Sequence, residues 1–238
     1  MVAKTFDESE WLDCGDPAPM LEYLLNNDIL TDRKQRLLDC ACVRRIWHLI
    51  HDIRGRRAVE IAERYVDGFA RVDEIREAQA VALAVANAQS GIGPHGRANT
   101  YRVLKAAAEV AWEFRSGADP LRHAAEACAW KGSTGYRAPQ RRRGRTVLAA
   151  ERKTQAALLR DIFGSPFHPV TSARSWRTLE VVRLAQTIYD DRAFARMPEL
   201  GGALERADCR DRPMLAHCRQ PGQHVRGCWV VDLVLGLN

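Results

Sequence analysis

The residues best equipped for chemistry cluster near the C-terminal end. Cys209, His217, Cys218, His224 and Cys228 place five thiol and imidazole donors within about 20 residues of one another, and these are the donor types that hold zinc. An ion bound by Cys218, His224 and Cys228, with Cys209 or His217 as the fourth ligand, is the chemistry this set could perform. If the segment is helical, His224 and Cys228 stand four residues apart on one face and can chelate. The competing arrangement holds no ion: Cys228 packs beside Trp229, and the histidines cap helix ends. A second set, Cys40, Cys42, His48 and His51 with Cys14 upstream, is less suited to metal. Two cysteines separated by one residue in a helix point roughly 200° apart, so Cys40 and Cys42 are read as core residues. His48 and His51 share a face, but Arg44 and Arg45 beside them oppose a cation.

The charge pattern offers a different chemistry. The chain carries a formal net charge of +6. Between Lys131 and Lys153, eight basic residues face Glu151 alone, and the remainder is close to neutral. Within that segment KGSTGYRAPQRRRGR, residues 131–145, has three glycines, one proline and no periodicity, so a flexible basic loop is expected there. Its Arg141, Arg142, Arg143 and Arg145 could pair with nucleic-acid phosphates, although Tyr136 is the loop's one aromatic residue for stacking on bases. Charges also stand inside apolar runs: Asp39, Arg44, Arg45, Glu63 and, in WVVDLVLG, Asp232. A buried carboxylate needs a partner, so Asp232 is assigned to a structural ion pair with an arginine.

None of GxSxG, the P-loop or HExxH occurs. The leading expectation is therefore a non-enzymatic helical interaction module that binds a protein partner. A nucleic-acid-associated protein using the arginine loop and a zinc-stabilised domain are the alternatives. No apolar run reaches the roughly 18 residues of a membrane span, and MVAKTFDESEW lacks the basic start and apolar stretch of a secretory signal. A cytoplasmic location is expected. Seven cysteines, an odd number, then point to reduced thiols or a metal rather than disulfides.

The elements that would position these groups are helical. Asp16-Pro17 opens a short helix to Asn26, and Thr31 or Asp32 caps a long central one to about Asp52. Gly55 is expected to separate it from a helix over Arg56–Asp67. Alanine-rich stretches over Asp73–Gln89, Tyr101–Arg115 and Leu121–Trp130 predict hairpins of thin, closely packed helices. Further helices are expected over Thr146–Phe163, Trp176–Tyr189, Pro198–Ala207 and Met214–Cys218. HVRGCWVVDLVLG suits strand or helix; helix is preferred, because a lone strand would leave its backbone unpaired. The result is one all-α domain over 1–238, an irregular bundle of about ten helices.

Two end blocks carry a resemblance. WLDCGDPAPMLEYL, TDRKQRLLDCACVRRIWHLIHD and AVEIAERYVDG at the start, with LLRDIFGSPFHPV, LAQTIYDDRAFARMPELGGALE and LAHCRQPGQHVRGCWVVDLVLG toward the end, resemble a group of uncharacterised bacterial proteins. The blocks cover about half of the chain. That group shares the blocks around a variable alanine-rich middle and has no assigned activity, so the resemblance implies an architecture and no catalytic residue. His168 departs from it, standing where the group has arginine.

Overall fold

The computed structural model describes residues 6–90, 97–111, 120–130, 138–168, 170 and 174–237, and among them every regular element is a helix. Helix α1 (Glu8–Asp13) starts with a capping box. Asp7 accepts the Glu10 N–H at 2.8 Å, and Glu10 accepts the Asp7 N–H at 3.3 Å. This short helix buries Trp11, whose indole N–H donates to the Gly164 carbonyl at 3.0 Å. Helix α2 (Pro17–Asn26) follows the Asp16 cap, and α3 (Asp32–Arg45) follows the Thr31 cap.

The long central helix ends earlier than its apolar stripe suggests. After Arg45 the chain tightens into a 3-10 turn over Trp47–Leu49, and Asp52 caps a new helix, α4 (Ile53–Val66), by accepting the Arg54 N–H at 2.9 Å. The Asp52 side chain competes for backbone donors, which favours a helix start over a helix interior. Gly55 lies inside α4 rather than before it. A Cβ there would stand 2.9 Å from Leu104 and 3.0 Å from Ile50, so the missing side chain allows a close approach of helices.

The alanine-rich middle forms α5 (Val72–Ser90), α6 (Arg97–Glu109) and α7 (Pro120–Trp130). Ala82, Ala86, Ala106, Ala107, Ala124 and Ala127 are fully buried, and their small volume lets these helices pack closely. Helix α8 (Ala138–Phe163) corrects the expected basic loop. Residues 131–137 lie outside the described residues, but Arg141, Arg142, Arg143 and Arg145 belong to helix. Pro139 sits in the first turn, where no N–H is required, and arginine is a strong helix former; Gly144 costs only about 1 kcal/mol. α3 packs against α4, α6, α7 and α8, and these helices enclose a core that includes Leu38, Val43, Ile46, Leu104, Leu158, Leu159 and Ile162.

A second core is built by α9 (Leu179–Asp190), α10 (Met197–Arg206), α11 (Arg212–Arg219) and α12 (Trp229–Leu235). Val181, Ile188, Met197, Leu200, Leu204, Met214, Val230 and Val234 fill it. Much of the seam between the two cores is polar. Asp232, fully buried, pairs with Arg33 at 2.6 Å, and Arg33 also donates to the Tyr189 hydroxyl at 2.9 Å. That hydroxyl donates to Asp67 at 2.7 Å. Arg192 and Arg44 both bind Glu63, and Arg226 lies over the Tyr189 ring. No described helix is long and apolar enough to cross a membrane.

Candidate metal centre

The seam contains one further polar group, and it is assembled from both cores. Asp161 lies in the last turn of α8, whose end is anchored by Arg160 donating to the carbonyls of Trp11 at 2.8 Å and Cys14 at 3.0 Å. His217 lies in the last turn of α11, which starts at the Asp211 cap with Pro213 in its first turn. Residues 220–223 then carry the chain over the surface. At Val225 it returns to α8, where the Val225 N–H donates to Asp161 Oδ2 at 2.9 Å. The turn that follows is closed by the Cys228 N–H donating to the Val225 carbonyl at 3.0 Å, and Cys228 becomes the residue before α12. Gly227 makes this turn possible. Its φ of +89° lies in the left-handed region, and a Cβ would meet Leu37 at 3.0 Å.

These segments bring together Asp161, His217, His224 and Cys228, each offering a donor atom within 4.8 Å of the others. His217 Nε2 stands 3.1 Å from Asp161 Oδ1 and 3.2 Å from Cys228 Sγ. His224 Nδ1 stands 2.6 Å from Asp161 Oδ1 and 3.9 Å from Cys228 Sγ. A tetrahedral ion with bonds of about 2.0 Å to N or O and 2.3 Å to S needs donor separations of roughly 3.3–3.6 Å. The separations bracket that range. The 2.6 Å one is a hydrogen-bond length, which a metal would open by more than about half an ångström.

All four residues are buried, and Cys228 is fully enclosed. Burial alone would raise the Asp161 carboxyl, but hydrogen bonds from His217 and His224 hold it below the ordinary aspartate value. Burial and the Asp161 charge push the Cys228 thiol well up, against an opposing pull from the Val230 and Val231 N–H groups. A divalent cation would reverse that balance. One carboxylate, one thiolate and two neutral imidazoles carry two negative charges together, which a doubly charged ion would cancel among these buried residues. The imidazoles stand edge to face with centroids 4.8 Å apart, and Trp229 closes the side next to His217 at 5.2 Å.

No known protein family, curated protein or solved structure matches the chain.

Of the five residues singled out from the sequence, three meet at this point. His217, His224 and Cys228 converge, but the last two are joined by a turn and not by a helical face, because α12 begins only at Trp229. Cys209 and Cys218 belong to the second core. The Cys209 thiol donates weakly to the Met214 sulfur at 3.8 Å, and Cys218 packs where a Cβ on Gly201 would be 3.0 Å away. Burial pushes the Cys218 thiol to about 12. The fourth donor, Asp161, was missed. Its signal was a carboxylate inside the apolar run LLRDIF, the same signal that singled out Asp232.

The other sequence candidates stand elsewhere. Cys40 and Cys42 are buried in α3 with thiols pushed well above their ordinary value by burial. His48 lies in the 3-10 turn and His51 just beyond it; among the described residues neither joins a group of metal donors. His168 is exposed and contacts Glu8 at 2.9 Å. Arg145 is exposed on α8, and the side chains of Arg141, Arg142 and Arg143 lie outside the described ones.

A nucleophile reading of the cluster is disfavoured by its own geometry. His217 turns the same nitrogen, Nε2, toward both the thiol and the carboxylate, so it has no second face from which Asp161 could orient it. A fully enclosed thiol held in its protonated form is also a poor nucleophile.

Proposed function

We propose that the chain is a helical module stapled by one divalent transition metal, zinc being the best match, and that it works by binding a protein partner rather than by catalysis. One observation carries the reading: four buried donors of zinc-type chemistry, drawn from three separate segments, converge within 4.8 Å of one another. Mixed oxygen, nitrogen and sulfur donors suit zinc better than the all-oxygen preference of magnesium or calcium. Four protein ligands from buried residues would fill a tetrahedral shell, as in structural sites, and leave no position for a substrate.

The staple has a mechanical role in this reading. Asp161 belongs to the helix that lines the first core, while His217 and Cys228 border the second. Metal binding therefore adds its free energy to docking α9–α12 on the rest of the molecule, across a seam that elsewhere relies on ion pairs. Cobalt(II) reconstitution tests the site. Tetrahedral ligand-field bands with a sulfur-to-cobalt charge-transfer band are expected, the latter lost in Cys228→Ser and retained in Cys218→Ser. Octahedral cobalt spectra, or a charge-transfer band that survives Cys228→Ser, would reject it.

A further inference from the structure

We infer that Gln220 is the positioning residue of this centre, holding His217 through Nδ1 so that Nε2 faces the other donors, and accepting the Nδ1 proton by a half-turn of its amide when Nε2 binds metal; the inference rests on the metal reading above. His217 meets the cluster through Nε2. Its other nitrogen, Nδ1, points the opposite way and lies 2.9 Å from the Gln220 side-chain amide. A metal-bound imidazole is neutral and carries its one proton on the nitrogen away from the ion, and the partner of that proton fixes the ring's tautomer and direction.

Gln220 is suited to this task by its place and by its chemistry. It follows the last residue of α11, so its backbone is held by the N–H donated to the Ala216 carbonyl at 2.9 Å, while its side chain is exposed enough to rotate. The structure turns the amide nitrogen toward Nδ1. In that arrangement the NH2 group donates, Nδ1 accepts, and the ring proton sits on Nε2, facing Asp161 and Cys228. With metal on Nε2 the ring loses that proton to solvent and gains one at Nδ1, with no net change in its charge. A half-turn of the Gln220 amide then presents the carbonyl oxygen, which accepts the new N–H. An amide can serve both proton arrangements, which neither a carboxylate nor an ammonium group does.

His224 provides the contrast within the same site. Its Nε2 is buried with no hydrogen-bond partner among the described residues, so nothing there orients its ring from outside. The orienting contact to the imidazole pair from beyond the donors thus falls on His217.

The test uses the full chain with zinc, a chromophoric chelator as competitor, and the variants Gln220→Leu and Gln220→Glu. Outer contacts of this kind change metal affinity by about 10–100-fold. Gln220→Leu is expected to weaken zinc binding by that factor, and Gln220→Glu, a stronger acceptor for Nδ1–H, to restore or exceed the wild-type affinity. The chelator-treated proteins should unfold within a few degrees of each other. In the zinc-loaded wild type, imidazole nitrogen-15 spectra should show His217 protonated at Nδ1. Zinc affinity of Gln220→Leu within twofold of wild type, or equal weakening in both variants, would overturn the inference and leave the metal reading standing; His217 protonated at Nε2 in the zinc form would overturn the inference and remove His217 from the ligand set. A wild-type chain that takes up no zinc would remove both.

Discussion

Replacing Asp161 with alanine separates the metal's contribution from that of the surrounding hydrogen bonds. The carboxylate accepts from the Val225 N–H at 2.9 Å and contacts His224 and His217 at 2.6 and 3.1 Å, all in a buried setting. Leaving a buried N–H and two imidazoles without this acceptor costs about 3 kcal/mol. For a chain of this size that is a fall in Tm on the order of 10 °C. A bound ion adds a second term. Zinc present at a thousandfold over its Kd stabilises the folded state by about 4 kcal/mol, and a site with one ligand missing forfeits most of it. Denaturant unfolding of wild type and Asp161→Ala, each with zinc and with chelator, reads both terms. The gap should be about 7 kcal/mol with zinc and about 3 kcal/mol with chelator. An equal gap in the two conditions would refute the metal term, and no gap in either would refute the assigned role of Asp161.

Gly227→Ala should cost about 2–4 kcal/mol, since its φ of +89° strains an L-residue and the new Cβ meets Leu37 at 3.0 Å. It should also weaken zinc binding by shifting Cys228. Gly222→Ala, where nothing lies within 4 Å of the new Cβ, is the control and should change neither. Burial works to raise the Glu63 carboxyl, but Arg44 and Arg192 hold it below its ordinary value of 4.5. The stability it contributes is therefore present above that value and is lost as pH falls through the lower folded value. Glu63→Gln should flatten that acid limb and cost roughly 2 kcal/mol at neutral pH, a discounted figure because both arginines are partly exposed. If the arginines of α8 bind nucleic acid, replacing Arg141, Arg142, Arg143 and Arg145 with serine should flatten a steep salt dependence; binding that is unchanged would refute a role for these arginines.

The helical class and most helix positions were legible because caps and periodicity are local signals. Asp16-Pro17 and Thr31 mark helix starts that the structure places at the same residues. The failures came where tertiary contacts outweigh local pattern. The stripe of the central helix continues through Trp47 and Ile50, yet Asp52 starts a new helix and Gly55 serves a close contact with Leu104. Gly144 and the arginines at 138–145 read as irregular, but the segment lacks any residue that forbids helix beyond its first turn. At the candidate centre, the donors near the C-terminus were visible as a cluster of types. Their membership was not, because it depends on which side of α11 faces α8: His217 and Cys218 are neighbours in sequence and point into different surroundings. Asp161 comes 63 residues before His224, and no local spacing connects them.

The proposed centre would hold one buried metal ion through Asp161, His217, His224 and Cys228. Elemental analysis of the full chain, purified without chelator and passed through a desalting column, measures that directly. About one equivalent of zinc per chain is expected, lost in Cys228→Ser and kept in Cys209→Ser. Less than about a tenth of an equivalent of any transition metal, in protein that is folded and was offered zinc, would contradict it.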